Sequence, residues 1–147
     1  MKLTHAAVTA ILALLFIVAP VTGLSQGVGG GEQKAVYHLD DTANARWAFV
    51  LANAHLAQNP KARIAIVAHG PGVDFLLEDA VDNRGNLYDP AVLGLIEKGV
   101  EFRVCQATLS ARNLDEDRLL DGIKKVPSGA YEIVRLQTEE GYAYLKP

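Results

Sequence analysis

Three side chains that are common in catalytic and ligand-binding sites stand at or after the ends of three strand-like segments. His38 lies near the end of the first segment, His69 follows the second, and Cys105 ends the third. In an open parallel sheet, ligands bind at the carboxyl ends of the strands. We therefore predict that two imidazoles and one thiol lie at one edge of a sheet. The alternative is a small thiol packed in the core and two histidines with local hydrogen bonds.

The segments that must position these residues alternate between strand-like and helical patterns. Strands are predicted at residues 35–39, 63–68, 100–105, 123–126 and 142–145. The second segment has consecutive rather than alternating apolar residues, as in a parallel strand that is buried on both faces. Regular alternation of strands and helices predicts a three-layer α/β/α fold with an open, mainly parallel sheet of about five strands.

Helices are predicted between the strands from capping residues and from apolar residues that recur on one face. In the first helix the predicted buried face comprises Trp47, Val50, Leu51 and Ala54. Further helices are predicted at residues 73–80, from Asp89 to Gly99, after Asn113 as a capping residue, and from Ser128 to Gly141. In the helix from Asp89 to Gly99, the predicted buried residues are Val92, Leu93 and Ile96. Residues 106–110 are predicted to be a loop that shapes a pocket beside the thiol.

The composition limits the kinds of site that the chain can form. Its 147 residues, 50% hydrophobic and 21% charged, are enough for one domain with a substantial core. A single cysteine excludes a disulfide or a multi-cysteine metal site within one chain. The net charge is −3, whereas proteins that bind nucleic acids without sequence preference usually have an excess of basic residues, so we expect no nucleic-acid partner.

Residues 1–25 have the pattern of a secretory signal peptide. A lysine and a histidine precede an apolar run at residues 6–21, which is shorter than the roughly 20 residues of a membrane-spanning helix. Cleavage after Gly23 or Ser25 would leave no stable membrane anchor, and residues 26–33 are predicted to be a flexible, glycine-rich leader. Cysteines of exported proteins usually pair, so a lone cysteine in such a chain is conspicuous.

Several short motifs occur in a specific order. They are Tyr37-His38-Leu39, Ala68-His69-Gly70-Pro71-Gly72-Val73, Gly99-Val100-Glu101-Phe102-x-Val104-Cys105 with Thr108-Leu109, and Val126-Pro127-Ser128-Gly129 through Gln137 to Gly141-Tyr142-Ala143-Tyr144-Leu145-Lys146-Pro147. Over residues 34–147 the sequence resembles the DsrE/DsrF-like family, in an exported, periplasmic branch. The resemblance implies an α/β/α domain that assembles as a homotrimer or homohexamer, and sulfur transfer in which Cys105 carries sulfane sulfur as a persulfide. Ala107 departs from the pattern, in which we expect an asparagine.

Three functional hypotheses follow. In the first, the protein is an exported sulfur-binding or sulfur-transfer protein without metal or cofactor, and its partners are sulfur donor and acceptor proteins or small sulfur species. Cys105 is then catalytic, and the predicted binding residues are His38, His69, Gly70, Gly72, Gln106 and Thr108. In the second, an oligomeric binding module holds a metal or small ligand at the two histidines and the cysteine. In the third, Cys105 is an inert, buried thiol of an interaction subunit. Acidic residues 115–117 are expected to oppose thiolate formation.

Overall fold

A computed structural model describes residues 32–147, and the predicted signal peptide lies outside them. The strands are β1 (Lys34–Leu39), β2 (Arg63–Ala68), β3 (Glu101–Cys105), β4 (Lys124–Val126) and β5 (Ala143–Leu145). The helices are α1 (Ala45–Gln58), α2 (Asp89–Glu97), α3 (Gln106–Ala111) and α4 (Gly129–Glu140). The strands form one parallel sheet in the order β4-β3-β2-β1-β5, which confirms the predicted fold class. No helix within this range is long and apolar enough to cross a bilayer.

Alternating side chains of the strands pack into two separate apolar clusters. On one face, Tyr37, Ile66 and Phe102 pack with α1, α2 and a 3-10 helix at Gly70–Leu76. On the other face, α4 covers a smaller cluster that consists of Val36, Ala65, Val67, Ile133, Leu136 and Tyr142. The even-numbered β1 residues therefore face α4, and His38 follows Val36 on that face.

The orientation of α1 differs from the prediction. Trp47 and Val50 are 55% and 54% exposed, and Ala54 is also exposed. The buried residues are Ala45, Ala48, Phe49 and Ala52, which have the same spacing on another face of the helix. Small alanines allow the helix to lie close to the sheet, and the Phe49 ring packs edge-on against two other phenylalanines. Hydrophobicity alone favoured the larger side chains, and the prediction was wrong for Trp47, Val50 and Ala54, whereas Leu51 is partly buried against the core. On α2, Leu95 is buried in place of the predicted Leu93.

Three other local predictions also need correction. The helix predicted at residues 73–80 is the 3-10 helix Gly70–Leu76, and the helix predicted after Asn113 is a single 3-10 turn at Glu116–Arg118. Asn113 has a φ of 49° and therefore cannot act as an extended N-cap. The loop predicted at residues 106–110 is the short helix α3, which begins directly after Cys105.

A buried charged network attaches α4 to the sheet. Arg103 on β3 contacts Glu132 of α4 and donates to Glu101 at 2.7 Å. Arg135 donates to both Glu132 oxygens at 2.8 and 2.9 Å. Since Arg103 and Glu132 are both buried, each supplies the opposite charge that the other needs. The network holds α4 against β3, whose last residue is Cys105.

Candidate functional site

The two predicted histidines are in direct contact at the carboxyl ends of β1 and β2. The Nε2 atoms of His38 and His69 lie 2.6 Å apart, and the two rings are 4.7 Å apart between centroids. At this distance one nitrogen must carry the hydrogen and the other must accept it. The imidazoles therefore form a hydrogen-bonded pair, and both are partly buried.

His38 also contacts the last strand of the sheet. Its Nδ1 lies 2.7 Å from the hydroxyl oxygen of Tyr144, which is on the edge strand β5. Burial lowers the pKa of His38, nearby Lys146 and His69 lower it further, and Asp40 opposes them. The pKa of His38 consequently lies below its ordinary value, and the ring is neutral at neutral pH.

Cys105 lies beside His69 under the N-terminus of α4. A β-carbon placed on Gly129, the first residue of α4, would lie 3.1 Å from His69 Cβ and 3.2 Å from Cys105 Cβ. Both residues thus flank the same backbone position, and the absence of a side chain at Gly129 makes room for them. His38 and His69 are thus in contact, and Cys105 lies beside His69, at the sheet edge where all three were predicted.

Donor groups near the thiol of Cys105 influence its pKa, although its side chain makes no capping hydrogen bond to α3. Burial raises the pKa of this group, since the residue is only 6% exposed. The Thr108 hydroxyl and the backbone amides of Gly129, Thr108 and Ala107 lower it, and their combined effect exceeds that of burial. The pKa of Cys105 is therefore below its ordinary value, which increases the thiolate fraction at neutral pH. The acidic residues 115–117, which were expected to oppose ionisation, are not among the main groups that shift the pKa of Cys105.

Thr108 joins the turn after β2 to the helix after β3. Its Oγ1 accepts a hydrogen bond from the Gly70 amide at 3.0 Å. A hydroxyl that accepts one bond keeps its own hydrogen for another acceptor, and Thr108 is one of the groups that lower the pKa of Cys105. The Gly70 carbonyl in turn accepts from Arg112 at 3.0 Å. These contacts hold the His69 turn and the thiol in a fixed relation.

The other predicted binding residues have different surroundings. Gly70 has a φ of 56°, a conformation that favours glycine. A β-carbon on Gly72 would lie 2.3 Å from the Leu39 carbonyl oxygen, so this glycine allows the turn to pack against the end of β1. Gln106 is exposed and is the first residue of α3. Gly70 and Gly72 thus shape the backbone beside the site.

The comparisons with known proteins identify the family and agree with the fold. The model of the DsrE/DsrF-like family matches residues 34–147. This chain belongs to the DsrE/DsrF-like family. It is similar to the solved structure of MTH1491 from Methanobacterium thermoautotrophicum, a protein of unknown function, with 35% identity and a TM-score of 0.70. That match covers 79% of this chain and all of the other.

A second solved structure shares the DsrE/DsrF-like fold at lower identity. The ychN protein from E. coli is 13% identical, with a TM-score of 0.64, over 80% of this chain and all of the other. No curated protein sequence matched the chain. Membership of the DsrE/DsrF-like family supports a role of the sulfur-relay type at the level of the family.

Sequence reasoning missed three groups of this DsrE/DsrF-like site. Gly129 and Tyr144 lie in motifs that carried the resemblance, but neither was assigned a role. The third is the backbone amide of Ala107, which lowers the pKa of the thiol although this position lacks the asparagine side chain expected there. The role of Gly129 could have been inferred from its place directly after Ser128, the residue predicted to cap α4. A glycine at the start of a helix allows that helix to pack closely on a neighbouring segment.

The structure gives no support to a three-ligand metal site. Within residues 32–147, no group of three or more His, Cys, Asp or Glu side chains is placed to hold a metal ion. A surface cavity of about 490 Å³ is lined by Arg46, Asp82 and Tyr88, among others, and none of its lining residues belongs to the histidine–cysteine site. We assign no chemistry to this cavity, because Arg46 and Asp82 already pair there at 3.0 Å.

Proposed function

We propose that this protein transfers sulfane sulfur and carries it as a persulfide on Cys105. The observation that carries the proposal is the position of Cys105, which ends β3 beside His69 and the N-terminus of α4, where nearby donor groups lower the pKa of its buried thiol. The thiolate, not the thiol, attacks sulfur. The same donors also stabilise negative charge on a sulfur bound to Cys105.

The proposed uptake step exchanges one sulfur–sulfur bond for another. The Cys105 thiolate attacks the outer sulfur of a small hydropersulfide, R–S–SH. A bond forms between Sγ and the outer sulfur, the S–S bond of the donor breaks, and its electron pair leaves on R–S⁻. The proton that left the Cys105 thiol ends on this sulfur, which gives R–SH and Cys105–S–SH. No external oxidant or reductant is needed, and transfer to an acceptor thiol repeats the exchange.

The surroundings of the thiol argue against the inert-cysteine hypothesis. A structural cysteine in apolar surroundings has a raised pKa and little thiolate. Cys105 is as buried as such a residue, yet its pKa is lowered by the Thr108 hydroxyl and by backbone amides near the sulfur. An inert core position would not require this arrangement, in which Thr108 is itself held by Gly70.

Mass spectrometry of the native protein tests the proposal. The protein is incubated with a hydropersulfide, a polysulfide or thiosulfate, and then with an acceptor thiol. We expect a gain of one sulfur atom on Cys105 and its loss to the acceptor. Since the chain has a single cysteine, Cys105→Ser is a complete control. An unmodified Cys105 under conditions in which a control thiol of similar pKa reacts would contradict the proposal.

We also propose that the precursor is exported to the periplasm and that the mature chain forms a homotrimer or homohexamer. Export rests on the sequence of residues 1–25, and assembly rests on family resemblance. N-terminal sequencing of the exported protein should begin after Gly23 or Ser25. Sedimentation equilibrium of that product should give three or six copies. An intact N-terminus would contradict the first proposal, and a monomer would contradict the second.

A further inference from the structure

Little of Cys105 is open to solvent. The residue is 6% exposed, although it stands at the carboxyl end of β3. A β-carbon placed on Gly129 would lie 3.2 Å from Cys105 Cβ, 3.1 Å from His69 Cβ and 3.4 Å from His69 Cδ2. The start of α4 and the His69 side chain are therefore packed closely beside the cysteine, and they leave little room for a reagent at the sulfur.

The segments that cover Cys105 are bonded to one another. This cover consists of the turn after β2, the helix α3 and the start of α4, at residues 68–73, 106–111 and 126–131. Thr108 Oγ1 accepts from the Gly70 amide at 3.0 Å. The Ala107 amide donates to the Pro127 carbonyl at 3.3 Å. A buried ion pair also attaches α4 to β3, so the cover opens only at a cost in free energy.

The cover also lacks charged side chains. Its three segments contain no Asp, Glu, Lys or Arg. The charged residues that directly follow two of them, Asp74 and Arg112, pair with each other at 2.7 Å. Large thiols such as glutathione and coenzyme A carry carboxylates or phosphates, which proteins bind through arginine and lysine. The cover offers such groups no unpaired arginine or lysine.

The geometry of sulfur exchange sets how closely a donor must approach. The attacking thiolate, the transferred sulfur and the leaving sulfur lie in one row. An S–S bond is about 2.05 Å long, so the leaving sulfur is roughly 4 Å from the Cys105 sulfur. The group attached to the leaving sulfur must then fit between the segments of the cover. Delivery passes through the same row of three sulfurs, so the same limit applies to the acceptor.

We propose that the sulfur donor of Cys105 is a small inorganic hydropolysulfide, and that large thiols and proteins do not exchange sulfur with it directly. The inference rests on the proposed function and names its substrate class. With the simplest donor, H–S–S–H, a bond forms between Sγ of the thiolate and one sulfur. The S–S bond of the donor breaks, and its electron pair leaves on HS⁻. The proton that left the Cys105 thiol ends on this sulfide, which gives H₂S and Cys105–S–SH.

Thiosulfonates of different size test the access to Cys105 without a sulfane-sulfur donor. Methyl methanethiosulfonate and a fluorescein-substituted methanethiosulfonate both react by attack of a thiolate on an S–S bond. The ratio of their rates in the folded protein is compared with the ratio in urea, which removes the intrinsic reactivity of each reagent. We expect the folded protein to favour the small reagent by a further tenfold or more, about 1.4 kcal/mol for opening the cover. Equal ratios would overturn the proposal.

His69→Ala tests the part of the cover that a side chain supplies. Without the ring beside Gly129, the fluorescein reagent should react faster relative to the methyl reagent. His55→Ala is the matched control, because His55 is a partly buried histidine on α1 that contacts Tyr37 and not Cys105. It should leave the ratio of rates unchanged. A wild-type ratio in His69→Ala would contradict the position of this ring in the cover.

These rates separate the access to Cys105 from the proposed function. A protein that reacts with the methyl reagent but takes up no sulfur from any donor would contradict the function, and the ratio of rates would still decide the access. If sulfur uptake occurs, we expect inorganic hydropolysulfide to load Cys105 faster than glutathione hydropersulfide by about tenfold or more, relative to the unfolded chain. Equal relative rates for the two donors would overturn the proposal.

Discussion

The Thr108→Val substitution probes the thiol most directly. Valine has nearly the shape of threonine but lacks the hydroxyl that accepts from Gly70 and lowers the pKa of Cys105. Removing it takes away the largest of the hydrogen-bonding contributions that lower the pKa of Cys105. We therefore expect the pKa of Cys105 to rise and the thiolate fraction at neutral pH to fall.

The size of the effect follows from the energy of a hydrogen bond to a charged group. Such a bond contributes about 1.5–3 kcal/mol, which corresponds to a decrease of roughly 10- to 150-fold in the thiolate fraction. A thiolate of higher pKa is intrinsically more nucleophilic, with a Brønsted coefficient of about 0.4–0.5. The net alkylation rate at neutral pH should therefore fall by about 3- to 20-fold. At a pH above both pKa values, the variant should react faster than the wild type.

Iodoacetamide alkylation of the single cysteine over a pH series measures both effects. Thr108→Ser is the matched control, because it keeps the hydroxyl and should retain a lowered pKa. Since the Gly70 amide also loses its acceptor, urea unfolding must show that both variants are folded at the pH values used. Superimposable pH profiles for the wild type and Thr108→Val would refute the role assigned to the hydroxyl.

Two further substitutions test the packing that surrounds the thiol. Gly129→Ala should push α4 away from Cys105 and His69 and slow the alkylation of Cys105 at neutral pH. Gly94→Ala is the control and should leave the rate unchanged, because a β-carbon at that position meets nothing within 4 Å. Equal alkylation rates for the two variants would contradict the close packing at Gly129. Glu132→Ala leaves Arg103 without its buried partner and should cost about 3–5 kcal/mol in urea unfolding, whereas Glu139→Ala should cost less than about 1 kcal/mol. Hydrogen bonds from Arg135 lower the pKa of Glu132 in the folded protein. The charged Glu132 therefore stabilises the fold fully at a pH above the pKa that this group has in the unfolded chain. This stabilisation is lost as the pH falls through the lower pKa of the folded protein. A cost below 1 kcal/mol for Glu132→Ala, or an unchanged acid dependence, would contradict this account.

The sequence was sufficient for the strands, because buried parallel strands carry distinct apolar runs. Arg63–Ala68 has the predicted bounds, and the sheet has the predicted five strands. The face of α1 was not predictable, since Trp47 and Phe49 belong to two faces of equal spacing. Only contact with the sheet, where alanines permit close approach, selects the face that contains Phe49.

The site was predictable in part for a similar reason. Parallel strands bring their carboxyl ends together, so His38, His69 and Cys105 were expected at one edge. The donors to the thiol were harder to predict, because backbone amides leave no mark in the side-chain sequence. Gly129 and Tyr144 reach the site from α4 and β5, and only the folded sheet shows that these segments end beside it.

The mass of the peptide that contains Cys105 tests the central claim most directly. It is measured before a hydropersulfide is added, after it is added, and again after an acceptor thiol has been supplied, with the persulfide trapped by alkylation. The account predicts that this peptide gains one sulfur atom in the second sample and loses it in the third. A peptide of unchanged mass in all three samples, from protein whose Cys105 alkylates readily, would contradict the claim that Cys105 carries transferable sulfur.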